Sequence, residues 1–163
     1  MACVNHGTLV TKVDFIVNGE RYVVDVEPRC TLADALREKC GKTGTNVGCE
    51  HGVCGTCTVL VDGEPVRSCL MFAVQLTGKS IRTVEGLAEH GRLHELQRAF
   101  MEHHALQCGF CTPGFLMLTV SYLEKNGNVD EEEIRDLVAS NLCRCTGYQN
   151  IVQAICAAAK RLR

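Results

Sequence analysis

Hydrophobic and polar residues alternate along the first half of the chain and recur at spacings of three and four along the second. Val13, Phe15 and Val17 share one face of an expected strand, and Tyr22, Val24 and Val26 repeat the pattern after Asn18-Gly19. Asn-Gly between alternating runs is a strong hairpin signal, because both turn positions need a left-handed backbone. Thr31 then stands where a helix cap is expected, with Leu32, Ala35 and Leu36 on the apolar face behind it. A glycine-rich stretch (Gly41, Gly44, Gly48, Gly52 and Gly55) leads into an expected strand over 56–61 and a turn at Asp62-Gly63. Hairpin, helix, loop and further strands predict a small α+β sheet of ubiquitin-like or β-grasp type.

Beyond about residue 90 the period changes. Residues 92–104 carry Leu93, Leu96 and Phe100 on one face of an expected helix. Thr112-Pro113 reads as an N-cap with proline at the first helical position, opening a helix to about 125, with Gly127 just beyond. Asp130 with Glu133 is a variant capping box for a third helix. Residues 148–162 make a fourth, ending in Lys160 and Arg161, cations that suit a helix C-terminus. Four short helices predict a bundle. The change of period falls in TVEGLAEH, near 83–90, which divides the chain into expected domains 1–85 and 86–163.

Composition narrows the function. The chain has 163 residues, 46% of them hydrophobic, enough for a packed core. A net charge of −2 and 5% aromatic residues argue against nucleic acid, which needs a basic stripe and stacking surfaces. No run of about 18 apolar residues exists, so no membrane span is expected. The opening residues MACVNHGTLVTKVDF lack a basic stretch followed by an apolar one, so no secretory signal is read and a cytoplasmic protein is expected.

Twelve cysteines change the picture most. In a reducing compartment such a number points to metal rather than to disulfides. Eight of them form two sets. Cys49, Cys54, Cys57 and Cys69 follow C-x4-C-x2-C with a fourth downstream, the plant-type ferredoxin spacing for a [2Fe–2S] cluster. The surrounding glycines let backbone N–H groups curl toward an anionic centre, and the Asp62-Gly63 turn would fold Cys69 back beside Cys57. Cys108 and Cys111, with Cys143 and Cys145, form the second set. Residues i and i+2 diverge on a helix, so Cys143 and Cys145 belong in an irregular turn. Both pairs precede expected helices, whose N-termini favour an anion. Zinc at the first set and four buried core thiols at the second are the alternative readings. His51, inside the first loop, is expected to be a solvated loop residue.

The strings CEHGVCGTC, QCGFCTPG (107–114) and NLCRCTGY (141–148) together resemble the small iron–sulfur subunit of the molybdenum hydroxylases, the xanthine dehydrogenase, aldehyde oxidoreductase and carbon monoxide dehydrogenase relatives. The resemblance runs from about residue 11 to 160. It implies an N-terminal β-grasp domain whose plant-type cluster lies near FAD, and a four-helix domain whose cluster lies near molybdenum. It implies that Gln107 and Cys145 contact the pterin, Cys145 while ligating iron. It further implies a large subunit that binds molybdopterin as a cytosine dinucleotide, a medium FAD-binding subunit, and a dimer of such heterotrimers. Electrons would pass singly from molybdenum through the helical-domain cluster and then the plant-type cluster to FAD. The substrate class, whether N-heteroaromatic, aldehyde, purine or carbon monoxide, stays open. The filling Glu50-His51-Gly52-Val53 differs from the one pictured for carbon monoxide-oxidising relatives.

Two further functions compete. A free-standing two-cluster carrier would use a charged docking patch, for which Glu131, Glu132, Glu133 and Asp136 are candidates, although acidic residues at a helix start more often match its dipole. A zinc-stabilised interaction module would have no redox role. Gly41-Lys42-Thr43 lacks the earlier glycine of a P-loop, since Leu36 stands there. His103 and His104 are adjacent and cannot converge on one metal from a helix. Of the remaining cysteines, Cys40 and Cys156 fall on apolar helix positions and are expected in the core, Cys3 is expected on a mobile terminus, and Cys30 is unassigned.

Overall fold

The computed structural model describes residues 9–127 and 129–162; Cys3 therefore lies outside the described residues. It is a mixed α+β structure with a five-stranded sheet and several helices. β1 (Thr11–Val17) and β2 (Glu20–Val26) form the expected hairpin, turning at Asn18 and Gly19 with φ of 52° and 85°. β3 (Thr58–Val61), β4 (Glu64–Arg67) and β5 (Ser80–Arg82) complete the sheet in the order β2-β1-β5-β3-β4. The β1–β5 pair is parallel and the others are antiparallel.

The four residues of β3 are all buried, because the sheet is covered on both faces here. Val59 and Val61 join the core formed with Val13, Phe15, Val17 and the first helical turns. Leu60 points the other way, into the core of the helical half with Phe115, Met117 and Ile155. A strand buried on both faces reads as a continuous apolar run, which is what TVLV is. It begins at Thr58, later than the expected 56, because Thr58 N–H still closes a turn onto Gly55 O at 3.2 Å.

α1 (Leu32–Asp34) starts at the expected cap, Thr31, whose hydroxyl accepts from Asp34 N–H at 3.1 Å. It then widens into a π-helical stretch, Ala35–Lys39, in which Cys40 N–H bonds Ala35 O at 3.1 Å. Leu36 and Cys40 are both buried against the sheet by this widening, so Cys40 is a core residue as expected. Arg37 reaches from it to the carbonyls of Thr43 and Thr45 at 2.6 and 3.0 Å, fastening the glycine-rich loop.

A short 3₁₀ turn, Val84–Gly86, carries the chain from sheet to helices. Asn18 anchors it by accepting from Thr83 N–H (2.8 Å) and donating to the Thr83 hydroxyl (2.9 Å), while Glu85 accepts from Gly44 N–H (2.8 Å). α2 (Glu95–Glu102), α3 (Thr112–Lys125), α4 (Glu131–Ala139) and α5 (Gln149–Arg161) are the four expected helices. The first is shorter than 92–104. Glu89 and Arg92 hold each other in an antiparallel bridge, so Leu93 lies outside the helix and is 44% exposed rather than on its apolar face. At α3 the cap moves back one residue: Cys111 is the N-cap, and Thr112 and Pro113 occupy the first turn. Asp130 and Glu133 form the expected capping box at 2.9 and 2.8 Å. Cys156 is half-buried at the edge of the helical core rather than inside it. Among the described residues no helix is long and apolar enough to cross a membrane.

His94 caps α2 with its ring. Its Nδ1 accepts from Leu96 N–H at 3.2 Å, while His94 N–H donates to Gln97 Oε1 at 2.9 Å. Burial, and then the nearby Arg82 guanidinium, hold His94 below the usual histidine pKa, against the opposing pull of Glu124, Glu95 and Glu89. A histidine favoured neutral in the folded state adds stability above its unfolded pKa of about 6.5, lost as pH falls through the lower folded value. Hydrogen–deuterium exchange of the segment 94–102, corrected for intrinsic rate, should therefore show less protection at pH 5.5 than at 7.5. His94→Asn, which caps without titrating, should abolish the difference; equal protection of the wild type at both values would contradict the cap's role.

Candidate iron–sulfur sites

The first set of cysteines lies on the loop between the π-helical stretch and β3, and on the turn after β4. Gly55, at φ 73°, reverses the loop between Cys54 and Cys57. Ser68 N–H and hydroxyl both donate to Cys57 O, at 3.3 and 2.7 Å, and this draws Cys69 back beside Cys57 as expected. The sulfurs of Cys57 and Cys69 lie within hydrogen-bonding reach of each other, and so do those of Cys49 and Cys54. The Cys54 N–H donates to Cys49 Sγ at 3.4 Å and is the main cause of the Cys49 thiol falling to about 6. Burial, and then the Cys57 thiol, push Cys69 up to about 12.

The second set joins the approach to α3 with the approach to α5. Cys145 and Cys108 place their sulfurs 3.5 Å apart. Cys111 and Cys143 form the other close pair, and burial followed by this contact pushes Cys111 up to about 12. Burial raises Cys143 too, yet the hydroxyl and N–H of Thr146, the Cys145 N–H and the Cys111 thiol together hold it below its usual value. Cys143 and Cys145 sit in the irregular turn that their spacing demanded.

In both sets the thiols close up two by two. Two irons sharing four thiolates take them in pairs, whereas one zinc takes all four around itself. The donor sets therefore fit a two-iron cluster, and in each set one thiol, Cys49 or Cys143, is held below its usual value. His51 is exposed and its Nδ1 contacts Cys49 O. His103 closes α2 and His104 is exposed beyond it. Two of the acidic residues at the start of α4 are engaged locally, Glu133 in the capping box and Glu131 with Arg135 at 2.6 Å.

The two loops are in direct contact. Leu142 N–H donates to Cys54 O at 2.9 Å, one residue before Cys143. The buried Asn141 side chain inserts at Gly55, where an added Cβ would meet Asn141 Oδ1 at 1.9 Å. Arg67 reaches across to Ser140 O at 2.8 Å and to the Thr58 hydroxyl. Asn46 donates to Phe110 O at 2.9 Å. Gly114, in the first turn of α3, lies on the backbone of Gly55 and Thr56. Sequence reading missed Asn141, Arg67 and the packing role of Gly114. Their partners are far away in the chain, and no local pattern marks them.

Comparison with known proteins agrees with this geometry. A family described as "2Fe-2S iron-sulfur cluster binding domain" matches residues 15–87, and a "[2Fe-2S] binding domain" matches residues 83–156. The gamma subunit of caffeine dehydrogenase from Pseudomonas sp. (strain CBB1) is 57% identical over 88% of this chain and 87% of its own length. The small subunit of nicotine 6-hydroxylase from Paenarthrobacter nicotinovorans is 56% identical over 88% and 87%. The solved structure of quinoline 2-oxidoreductase from Pseudomonas putida 86 superposes with a TM-score of 0.91 at 52% identity, over 94% of this chain and 96% of that one. The chain belongs to the small [2Fe–2S] subunits of the molybdenum hydroxylases. Its role is that of an oxidoreductase's electron-transfer subunit, working with larger partners.

The seam between the loops gives a direct test. A methyl group at Gly114 would meet Gly55 O at 2.3 Å and Thr56 Cα at 2.9 Å, both backbone. Gly114→Ala should cost about 1–3 kcal/mol, as overpacking does, and lower the thermal midpoint. Gly127→Ala, with nothing within 4 Å, should stay near wild type. Equal midpoints for the two variants would contradict the close packing.

Proposed function

We propose that Cys49, Cys54, Cys57 and Cys69 hold one [2Fe–2S] cluster and that Cys108, Cys111, Cys143 and Cys145 hold the second. The observation that carries this is the two-by-two closure of the sulfurs in each set. Each cluster, when bound, supplies a site that takes up and gives up one electron at a time. The chain's own contribution is to keep the two sites in fixed register. The hydrogen bond from Leu142 N–H to Cys54 O joins a residue of one set to the neighbour of a residue of the other. The N-termini of α3 and α5 follow the second set, and their positive ends favour its negative charge.

We assign the two sites to two domains, a β-grasp, plant-type ferredoxin-like unit over 1–85 and a four-helix bundle over 86–163. The separate apolar core of each half supports this division. The exposed face of the second site would meet the large molybdopterin-binding subunit, with Gln107 and Cys145 at the pterin, carried there as a cytosine dinucleotide. Gln107, Cys108 and Cys145 are exposed, and Leu106, Phe110 and Leu142 beside them are exposed apolar residues of the kind a partner covers. Val53 and Leu70, 58% and 59% exposed beside the first site, would face the medium FAD-binding subunit. The assembly is a dimer of heterotrimers in the cytoplasm, whose reducing conditions suit so many thiols.

The substrate we infer is an N-heteroaromatic compound, purines included. Caffeine, nicotine and quinoline, the compounds in the names of the three relatives described above, are all of that class.

Cys57→Ser and Cys111→Ser, each made in the assembled complex, separate the two sites. Each variant should lose about two of the roughly four irons that two [2Fe–2S] clusters require, and each should remove a different paramagnetic signal of the reduced protein. Oxidation of quinoline or nicotine by the wild-type complex, against no turnover of a simple aldehyde, is the outcome expected for the substrate class. Loss of the same signal in both variants, or unchanged iron in either, would contradict the ligand assignment.

A further inference from the structure

The turn that carries Cys143 and Cys145 closes on itself through three contacts that a ligand loop does not need merely to present two cysteines. Cys143 N–H donates to Tyr148 Oη at 3.0 Å. Tyr148 N–H donates to Thr146 Oγ1 at 3.2 Å. Thr146 Oγ1 in turn lies 3.1 Å from Cys143 Sγ. The chemistry of the three groups fixes the direction of the last contact. A backbone N–H can only donate, so the Thr146 oxygen accepts from Tyr148 and keeps its single proton free. A thiolate can only accept. The Thr146 proton therefore points at Cys143 Sγ once that sulfur is ionised.

The ring is held at a cost. Tyr148 has φ 69° and ψ −26°, a left-handed backbone that a bulky residue rarely adopts. Such conformations are unfavourable and persist where the surroundings impose them. Here the surroundings are visible. The Tyr148 ring meets Phe115 edge-on at 6.5 Å between centroids, and Tyr148 O accepts from Val152 N–H at 3.0 Å to start α5. This backbone turns the Tyr148 N–H toward Thr146 while its phenol reaches back to Cys143.

We propose that Thr146 is a positioning residue of the second site, its hydroxyl donating to Cys143 Sγ and thereby raising the reduction potential of the cluster bound there. The proposal rests on Cys143 being a ligand, as assigned above. A hydrogen bond to a ligand sulfur draws electron density from it and favours the more negative, reduced state; such bonds are among the factors that set cluster potentials. Tyr148 acts through Thr146, by occupying the hydroxyl's acceptor side.

The test uses the whole complex with Thr146→Val, Thr146→Ala and Thr146→Ser. Iron content and a redox titration followed by electron paramagnetic resonance are read together. The second cluster's signal is identified as the one that Cys111→Ser removes. Thr146→Val should keep its iron and should lower the reduced-to-oxidised ratio of the second cluster at a fixed potential about tenfold, a shift of about 59 mV for one electron. The first cluster should not move, and Thr146→Ser should restore the wild-type value. An unchanged second potential with both clusters present overturns the proposal. Loss of the second cluster from both the Val and Ala variants, but not from Ser, also overturns it, because the hydroxyl would then serve assembly rather than potential. Unchanged iron and both signals in Cys143→Ser would instead overturn the ligand assignment on which it stands, so the two failures are distinguishable.

Discussion

Helix α3 begins with Gly114 resting on the backbone of Gly55 and Thr56, and the neighbouring loop bonds Leu142 N–H to Cys54 O. This backbone-to-backbone seam joins two halves with separate cores, and the rest of the structure depends on it. Side chains across such a seam would hold the cysteine sets farther apart and leave them free to shift. Backbone contact brings the loops as close as the chain allows. The buried Asn141 at Gly55 and Arg67 at Ser140 O reinforce it from either side. For a protein whose work is to pass electrons between two centres, a fixed short separation is the property that matters.

Each set of cysteines is supported by the element behind it. Arg37 on the π-helical stretch pins the carbonyls that lead into the first loop, and Ser68 folds Cys69 back onto Cys57. At the second set the same end is reached through helix starts, with Cys111 capping α3 and Tyr148 capping α5. Exposed apolar residues lie beside both sites.

Much of this was legible in the chain itself. Period-two alternation gave the β1–β2 hairpin, and its Asn-Gly turn has the left-handed angles that such a dipeptide implies. Spacing marked C-x4-C-x2-C, C-x2-C and C-x-C, which are local patterns, whereas the fold is what carries Cys145 to Cys108, 37 positions away. What was not legible depended on distant partners or on one-residue shifts of hydrogen bonding. Leu93 has helical spacing, yet the Glu89–Arg92 bridge keeps it out of α2. Thr112 looks like a cap, yet Cys111 is already helical at φ −84° and ψ −13°. Asn141 is an ordinary polar residue in sequence, and only the fold carries it against Gly55, 86 positions away. Thr146 and Tyr148 carry no metal-ligating group, so a search for ligands passes over them.

The most direct measurement is a metal and flavin analysis of the complex purified from its native cell through this chain. The account predicts that molybdenum and FAD accompany the chain, with about four irons for each copy of it, as two [2Fe–2S] clusters require. A lone chain carrying iron, without molybdenum or flavin, would contradict it.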